Sequence, residues 1–262
     1  SNKTAHTWLN LAAKYLEGAG VDNARLEVEW LMARALDRGR LDILLDRNCV
    51  PDAGQAAHFL RCVRRRAANE PLQYILGDAS FCGLTLQTDA RALIPRPETE
   101  QLAAMVWCEA QRLAALRPWV LDWGVGTGAI ALAVAAQCPQ ARVIGVDRSA
   151  SALELARENR ARLGLEDQLR LVESDGFERL APERRVDILV SNPPYIPRAA
   201  LRGLAPEIRE WEPSRALDGG HDGLDCYRGL AERGEGRLRS YRRFFGGFGD
   251  GQGANLVALF RG

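Results

Sequence analysis

The chain has 262 residues, 47% of them hydrophobic, and its 35 Lys and Arg nearly balance 34 Asp and Glu to a net charge of +1. That is apolar mass enough for one large domain, or a large and a small one, and too little positive charge for a protein that grips long nucleic acid electrostatically. No apolar run approaches the roughly 18 residues of a membrane span, no signal peptide is evident, and six scattered cysteines with three histidines suggest neither a disulfide framework nor a zinc site, so a reducing cytoplasm is the expected home.

Residues 1–75 read as an all-helical domain. Trp8, Leu9, Ala12, Tyr15 and Leu16 recur at helical spacing until "EGAG" ends the pattern. Asp22 is placed to cap a second helix carrying Leu31, Ala35 and Leu36, and Pro51 to sit near the start of a third carrying Phe59, Leu60 and Val63. Arg64, Arg65 and Arg66 on that third helix read as a solvated face. The texture then changes, and "EPLQYILGDASFCGLTLQTDARALIPRPETE" carries β-type residues, turn glycines and prolines, with residues 76–92 expected as a hairpin linker.

Residues 93–262 alternate strand and helix. The runs "WVLDWG" (119–124), "ARVIGVD" (141–147), "LRLVESD" (169–175) and "VDILVSN" (186–192) are short and apolar, and each ends in glycine or polar residues. "ALAVAAQ" and "SALELARENRARLG" separate the first three, while "GFERLAPERR" leads into the fourth. The pattern predicts an α/β fold, a mostly parallel sheet with helices on both faces, whose ligands sit beyond the carboxyl ends of the strands. Toward the C-terminus one further strand, "NLVALFR", is expected.

Those strand ends carry the chemistry. Gly124, Gly126 and Gly128 form a G-x-G-x-G turn where a ligand can approach bare backbone and a helix N-terminus. Asp147, nineteen residues after Gly128, can accept both ribose hydroxyls of an adenosine-containing cofactor, and Asp175 can hold an adenine amino group. After the fourth strand comes "SNPPY", in which two prolines stiffen a loop that presents Asn192, Tyr195 and backbone carbonyls in a fixed arrangement.

Through "DWGVGTG", "GVD" and "ESD" in order, the sequence resembles the class I S-adenosylmethionine-dependent methyltransferases, whose fold is Rossmann-like. The resemblance implies three strands at the C-terminus, and with only "NLVALFR" evident these read as shortened. With "SNPPY", "EPLQYILG", "LIPRPETE" and "LDGGHDGLDCYR" behind a helical N-terminal domain, it is similar to the N5-glutamine methyltransferases of peptide chain release factors. The resemblance implies that Gly124, Val125, Gly126, Thr127, Gly128, Asp147, Asp175, Gly176 and Asn192 hold S-adenosylmethionine. It implies that Asn192, Pro193, Pro194 and Tyr195 receive the glutamine of a Gly-Gly-Gln loop, with Asn192, Pro193 and Tyr195 acting in catalysis, no metal, and the N-terminal domain recognising the factor. A monomer is expected, with neither membrane nor nucleic acid as partner. Two alternatives share the same loop: a glutamine methyltransferase acting on a ribosomal protein, and a nucleic-acid exocyclic-amine methyltransferase of the adenine N6 type.

The chemistry suits the motif. A carboxamide nitrogen is a poor nucleophile because its lone pair is delocalised into the carbonyl. If the Asn192 side-chain oxygen and the Pro193 carbonyl accept its two N–H groups, the nitrogen is oriented for in-line attack while Tyr195 packs on the planar amide. No general base is needed, because the nitrogen becomes acidic once methylated. After "ESD", where many relatives carry a large side chain against the adenine, this chain has Gly176 and then Phe177; either Phe177 substitutes or the contact is lost.

Overall fold

The computed structural model describes residues 3–180, 185–234 and 238–260. It divides into two compact units: the chain up to Gly77 together with Pro206–Trp211, and Asp78–Ala205 together with the chain from Glu212 onward.

The first unit is helical, with α1 (Ala5–Gly18), α2 (Ala24–Leu36), α3 (Arg40–Leu45), α4 (Ala53–Ala67) and α5 (Leu72–Leu76). Leu9, Leu16, Val28, Leu31, Met32 and Phe59 interlock in one core, each contributing about 1.5–3 kcal/mol of burial. Tyr15 stays exposed, so the α1 stripe is narrower than its spacing suggests. Local chemistry corrects the caps read from sequence. The residue preceding α2 is Asn23, without a side-chain cap bond, whereas α4 begins with a capping box in which Asp52 and Gln55 satisfy each other's backbone N–H groups. "LQYIL", read as β-type, is helix α5; Pro71 precedes it and Gly77 ends it in the left-handed conformation.

Arg66 overturns the solvated reading of its arginine run. Arg64 and Arg65 are exposed, but Arg66 is only 6% exposed, and its guanidinium bonds Glu27 of α2 and, at 2.6 Å, Glu207. Glu207 lies on the short helix α9 (Pro206–Arg209), 141 positions later. A buried cation demands paired carboxylates, which is why this segment belongs to the helical unit.

The second unit begins with an antiparallel hairpin, β1 (Asp78–Phe81) and β2 (Leu84–Gln87), turned at Cys82 and Gly83 with φ of 50° and 77°. After α6 (Pro97–Arg112) come β3 (Trp119–Trp123), α7 (Ala129–Gln137), β4 (Arg142–Asp147), α8 (Ala150–Leu163), β5 (Leu169–Glu173), β6 (Val186–Ser191), α10 (Asp225–Gly234), β7 (Leu238–Gly246) and α11 (Gly253–Leu259). The five strands β3–β7 form one parallel sheet in the order β5-β4-β3-β6-β7. Alternation sorts its two faces. Val120, Val143 and Ile188 pack with α6 and α7, while Leu121, Ile144 and Leu189 pack with Phe177 and Leu230. A Rossmann-like sheet behind a helical N-terminal region is therefore the observed architecture.

The C-terminal expectation was misplaced. The fifth parallel strand is β7, and "NLVALF" falls in and just after helix α11. Short apolar runs do not declare their period, and here Leu256 and Leu259, with Phe260 just beyond, share one helical face against Tyr227 and Phe244. Phe244 and Phe245 of β7 point to opposite faces of the sheet and join different cores. No antiparallel strand joins this sheet among the described residues. Residues 181–184, within the stretch leading to β6, lie outside the described residues.

Candidate active site

Strand order reverses at β3: β4 and β5 run out on one side, β6 and β7 on the other. The carboxyl ends of β3, β4, β5 and β6 consequently meet over a crevice, the place where doubly wound sheets hold ligands. A cleft of ≈ 810 Å³, counted with the solvent at its mouth, opens there.

Its floor is the turn between β3 and α7. Gly124, Gly126 and Gly128 have φ of 80°, 53° and 88°, so all three require glycine-type backbone. The N–H groups of Gly124 and Val125 both reach Val146 O at 2.9 Å, and Gly128 N–H closes onto Val125 O at 2.8 Å. A Cβ at position 124 or 126 would meet nothing, leaving the floor open, whereas one at 128 would fall 2.9 Å from Leu132. Asp147 Oδ2 accepts from Gly126 N–H and Oδ1 from Ser149 N–H, each at 2.9 Å. Each carboxylate oxygen keeps acceptor capacity for a further donor.

The cleft is lined by Gly124, Gly126, Asp147, Asp175, Gly176, Asn192, Pro193 and Pro194 among the residues anticipated from sequence. Four others are not part of the lining. Val125 and Thr127 are buried beneath the turn, Thr127 giving its carbonyl to Asn159 at 3.0 Å, and Gly128 is the left-handed N-cap of α7. Tyr195 is half-buried beyond the prolines, its carbonyl accepting from Gln252 Nε2 at 3.0 Å. Phe177 is also absent: it is 3% exposed in the core with Leu121, Ile144 and Leu230. The space beside Gly176 is instead approached by the Arg233 guanidinium and by Trp123, whose residue lines the cleft.

Asn192 is held directly. Its Nδ2 donates to Thr99 Oγ1 at 3.2 Å, which leaves Oδ1 as an acceptor. Ser191 anchors the loop, its hydroxyl donating to Trp123 O at 2.7 Å while its carbonyl accepts from Gly247 N–H at 3.0 Å.

The walls went unread in the sequence. Residues Arg91–Leu93 form one, Pro213, Arg215 and Ala216 another, and Arg148, Ser149 and Cys226 complete the rim. Glu212, 5% exposed, joins the first two: its carboxylate accepts from Ile94 N–H at 3.2 Å and from Arg96. Only the motif "LIPRPETE" hinted at this, since nothing local ties a glutamate to a partner 118 positions away. Burial, opposed by the Ala131 N–H and reinforced by the Asp147 charge, pushes the Asp122 carboxyl on β3 up to about 7. Burial likewise raises the Cys226 thiol.

Residues 7–77 match the family model of the PrmC N-terminal domain, and residues 110–205 that of the methyltransferase small domain. The chain is 49% identical over 216 residues to the release factor glutamine methyltransferase of Geobacter sulfurreducens, covering 82% of this chain and 73% of that one. It is 42% identical over 240 residues to the namesake of Moorella thermoacetica, covering 88% and 80%. Among solved structures, the hMettl16 catalytic domain in complex with MAT2A 3'UTR hairpin 6 superposes with a TM-score of 0.52 at 17% identity, over 79% of this chain and 72% of that one, a likeness of fold alone. With the cleft at the topological switch and identity of this extent across both units, the chain belongs to the release factor glutamine methyltransferase family.

Proposed function

We propose that this protein transfers a methyl group from S-adenosylmethionine to the N5 amide nitrogen of the glutamine in the Gly-Gly-Gln loop of a peptide chain release factor. The observation that carries this reading is the Asn192–Pro193 pair at the rim of a cleft floored by the glycine turn, in a chain of this family. When bound, S-adenosylmethionine supplies an electrophilic methyl on a sulfonium.

The residues fit that cofactor. Gly124 and Gly126 leave bare backbone beside the cleft, and Asp147 retains two acceptor positions for the ribose hydroxyls. Asp175 and Gly176 border the adenine end, with the Gly176 backbone in place of a large side chain. Val125, Thr127 and Gly128 act from beneath by setting the turn. Asn192 Oδ1 and Pro193 O accept the two N–H groups of the substrate amide, turning its nitrogen toward the methyl, and the proton lost on methylation passes to solvent. Each such hydrogen bond contributes about 1 kcal/mol, so alignment supplies most of the acceleration. Pro194 makes a stiff wall against which the amide lies, and Tyr195, half-buried just beyond the prolines, backs that loop.

Two glycines allow the target glutamine to be presented on a narrow loop tip. The helical unit holds the body of the factor, a reading supported by its exposed Tyr15, Trp30 and Leu41. Two separated contacts then act together, each raising the effective concentration at the other. The enzyme works as a monomer on protein rather than on nucleic acid, in the cytoplasm with its substrate; no helix among the described residues is long and apolar enough to cross a membrane. The test offers labelled S-adenosylmethionine with release factor, ribosomal protein and DNA side by side. Label on the factor alone supports the reading, and label only on another substrate overturns it.

A further inference from the structure

The motif "PETE" (97–100) opens α6, and the structure gives each residue a separate task. Pro97 starts the helix, where its missing N–H costs nothing. Glu98 is exposed. Glu100 Oε1 accepts from Cys82 N–H at 2.8 Å, steadying the left-handed hairpin turn. Thr99, one residue earlier and so turned about 100° around the helix, is half-buried and meets Asn192.

We infer that Thr99 is a positioning residue for methyl transfer: its hydroxyl accepts from Asn192 Nδ2 and holds the carboxamide in the orientation that leaves Oδ1 for the substrate. The inference rests on the role proposed above for Asn192. A carboxamide has two nearly isosteric ends of opposite hydrogen-bonding character, and only the oxygen end can accept an amide N–H. Free rotation about the terminal torsion would offer the wrong end for part of the time, because that torsion is broad and roughly two-fold.

Two neighbours restrict that freedom. Thr99 holds the nitrogen at 3.2 Å on one side. On the other, Gly247 comes so close that a Cβ there would lie 3.1 Å from Asn192 Cγ and nearer still to Oδ1. Gly247 is itself fixed by its N–H bond to Ser191 O at 3.0 Å. The Asn192 amide therefore sits between a helix N-terminal turn and the segment after β7, elements separated by most of the unit's sequence.

The test is a double-mutant cycle of Thr99→Val and Asn192→Ala, with Thr99→Ser as the conservative variant. Valine keeps the shape and loses the acceptor; serine restores it. Thr99→Val should lower kcat about five- to ten-fold with cofactor affinity by calorimetry unchanged, and Thr99→Ser should recover to within about two-fold. In the Asn192→Ala background Thr99→Val should change kcat by less than about two-fold, because the amide it orients is gone. If Asn192→Ala lowers turnover while Thr99→Val matches the parent, the positioning role is wrong and the Asn192 reading survives. If Asn192→Ala leaves turnover intact, the Asn192 reading itself falls. Equal losses from Thr99→Val in both backgrounds would mark Thr99 as a packing residue and overturn the inference.

Discussion

Gly247→Ala tests how closely the geometry around Asn192 is set. An added Cβ would stand 3.1 Å from Asn192 Cγ and closer to Oδ1, whereas non-bonded heavy atoms prefer about 3.5–4.0 Å. The carboxamide must retreat by roughly 0.5–1 Å, and its 3.2 Å bond to Thr99 is stretched or lost. The Gly247 N–H bond to Ser191 O can persist, since alanine keeps its backbone amide. A misplacement of about 1 Å at a reacting group lowers turnover by up to roughly 10²-fold, so kcat should fall by about ten- to a hundred-fold. Asp147 and the glycine turn are not contacted by this change, so S-adenosylmethionine affinity, read by calorimetry, should move less than about three-fold. Single-turnover methylation of release factor at saturating substrate gives the rate. Wild-type turnover in the variant would refute the reasoning, and a parallel collapse of cofactor affinity would show that the clash spreads to the cofactor floor.

Three further outcomes are expected. Asp147→Ala removes the acceptor of two backbone N–H groups and, in the proposed function, of the cofactor's ribose, and should weaken cofactor binding by about 1–3 kcal/mol in calorimetry; unchanged affinity would separate Asp147 from the cofactor. Asp122, raised to about 7 in the folded protein and near 4 unfolded, is held more tightly as the protonated form by the native state. Stability should therefore fall as pH rises from about 4 to 7, by at most about 1.4 kcal/mol per pH unit, and then level off; Asp122→Asn should abolish that component of the urea-midpoint profile. Arg66→Met leaves the half-buried Glu27 without its cation and should cost the helical unit about 2–3 kcal/mol in denaturant unfolding. Glu207→Ala should cost less, about 1 kcal/mol, because that carboxylate is 40% exposed; the reverse order would contradict the account of this ion pair.

Much of the site was legible because strand ends in a parallel sheet advertise themselves. Gly124, Gly126, Asp147, Asp175 and Asn192 each follow a short apolar run, and the topology brings all of them to one cleft. What escaped depends on long-range closure. Glu212 reaching Ile94 and Arg96, Thr99 reaching Asn192, and Arg66 reaching Glu207 span 93 to 141 positions, and no local pattern encodes such pairs. Of the two alternatives the sequence leaves open at Phe177, adjacency to Gly176 suggests the cofactor, yet hydrophobic burial takes the ring into the core. The exchange of strand and helix near the C-terminus has a similar origin. "NLVALF" is too short to reveal its period, and "SYRRFF" hides a strand behind paired arginines.

The central claim is met most directly by locating the methyl group. Release factor incubated with the enzyme and isotopically labelled S-adenosylmethionine, then digested and fragmented in a mass spectrometer, should carry one labelled methyl on the side-chain amide of the Gly-Gly-Gln glutamine, and Asn192→Ala should reduce its rate of appearance sharply. A label found on another residue, or on a ribosomal protein or an adenine while that glutamine stays unmodified, would contradict it.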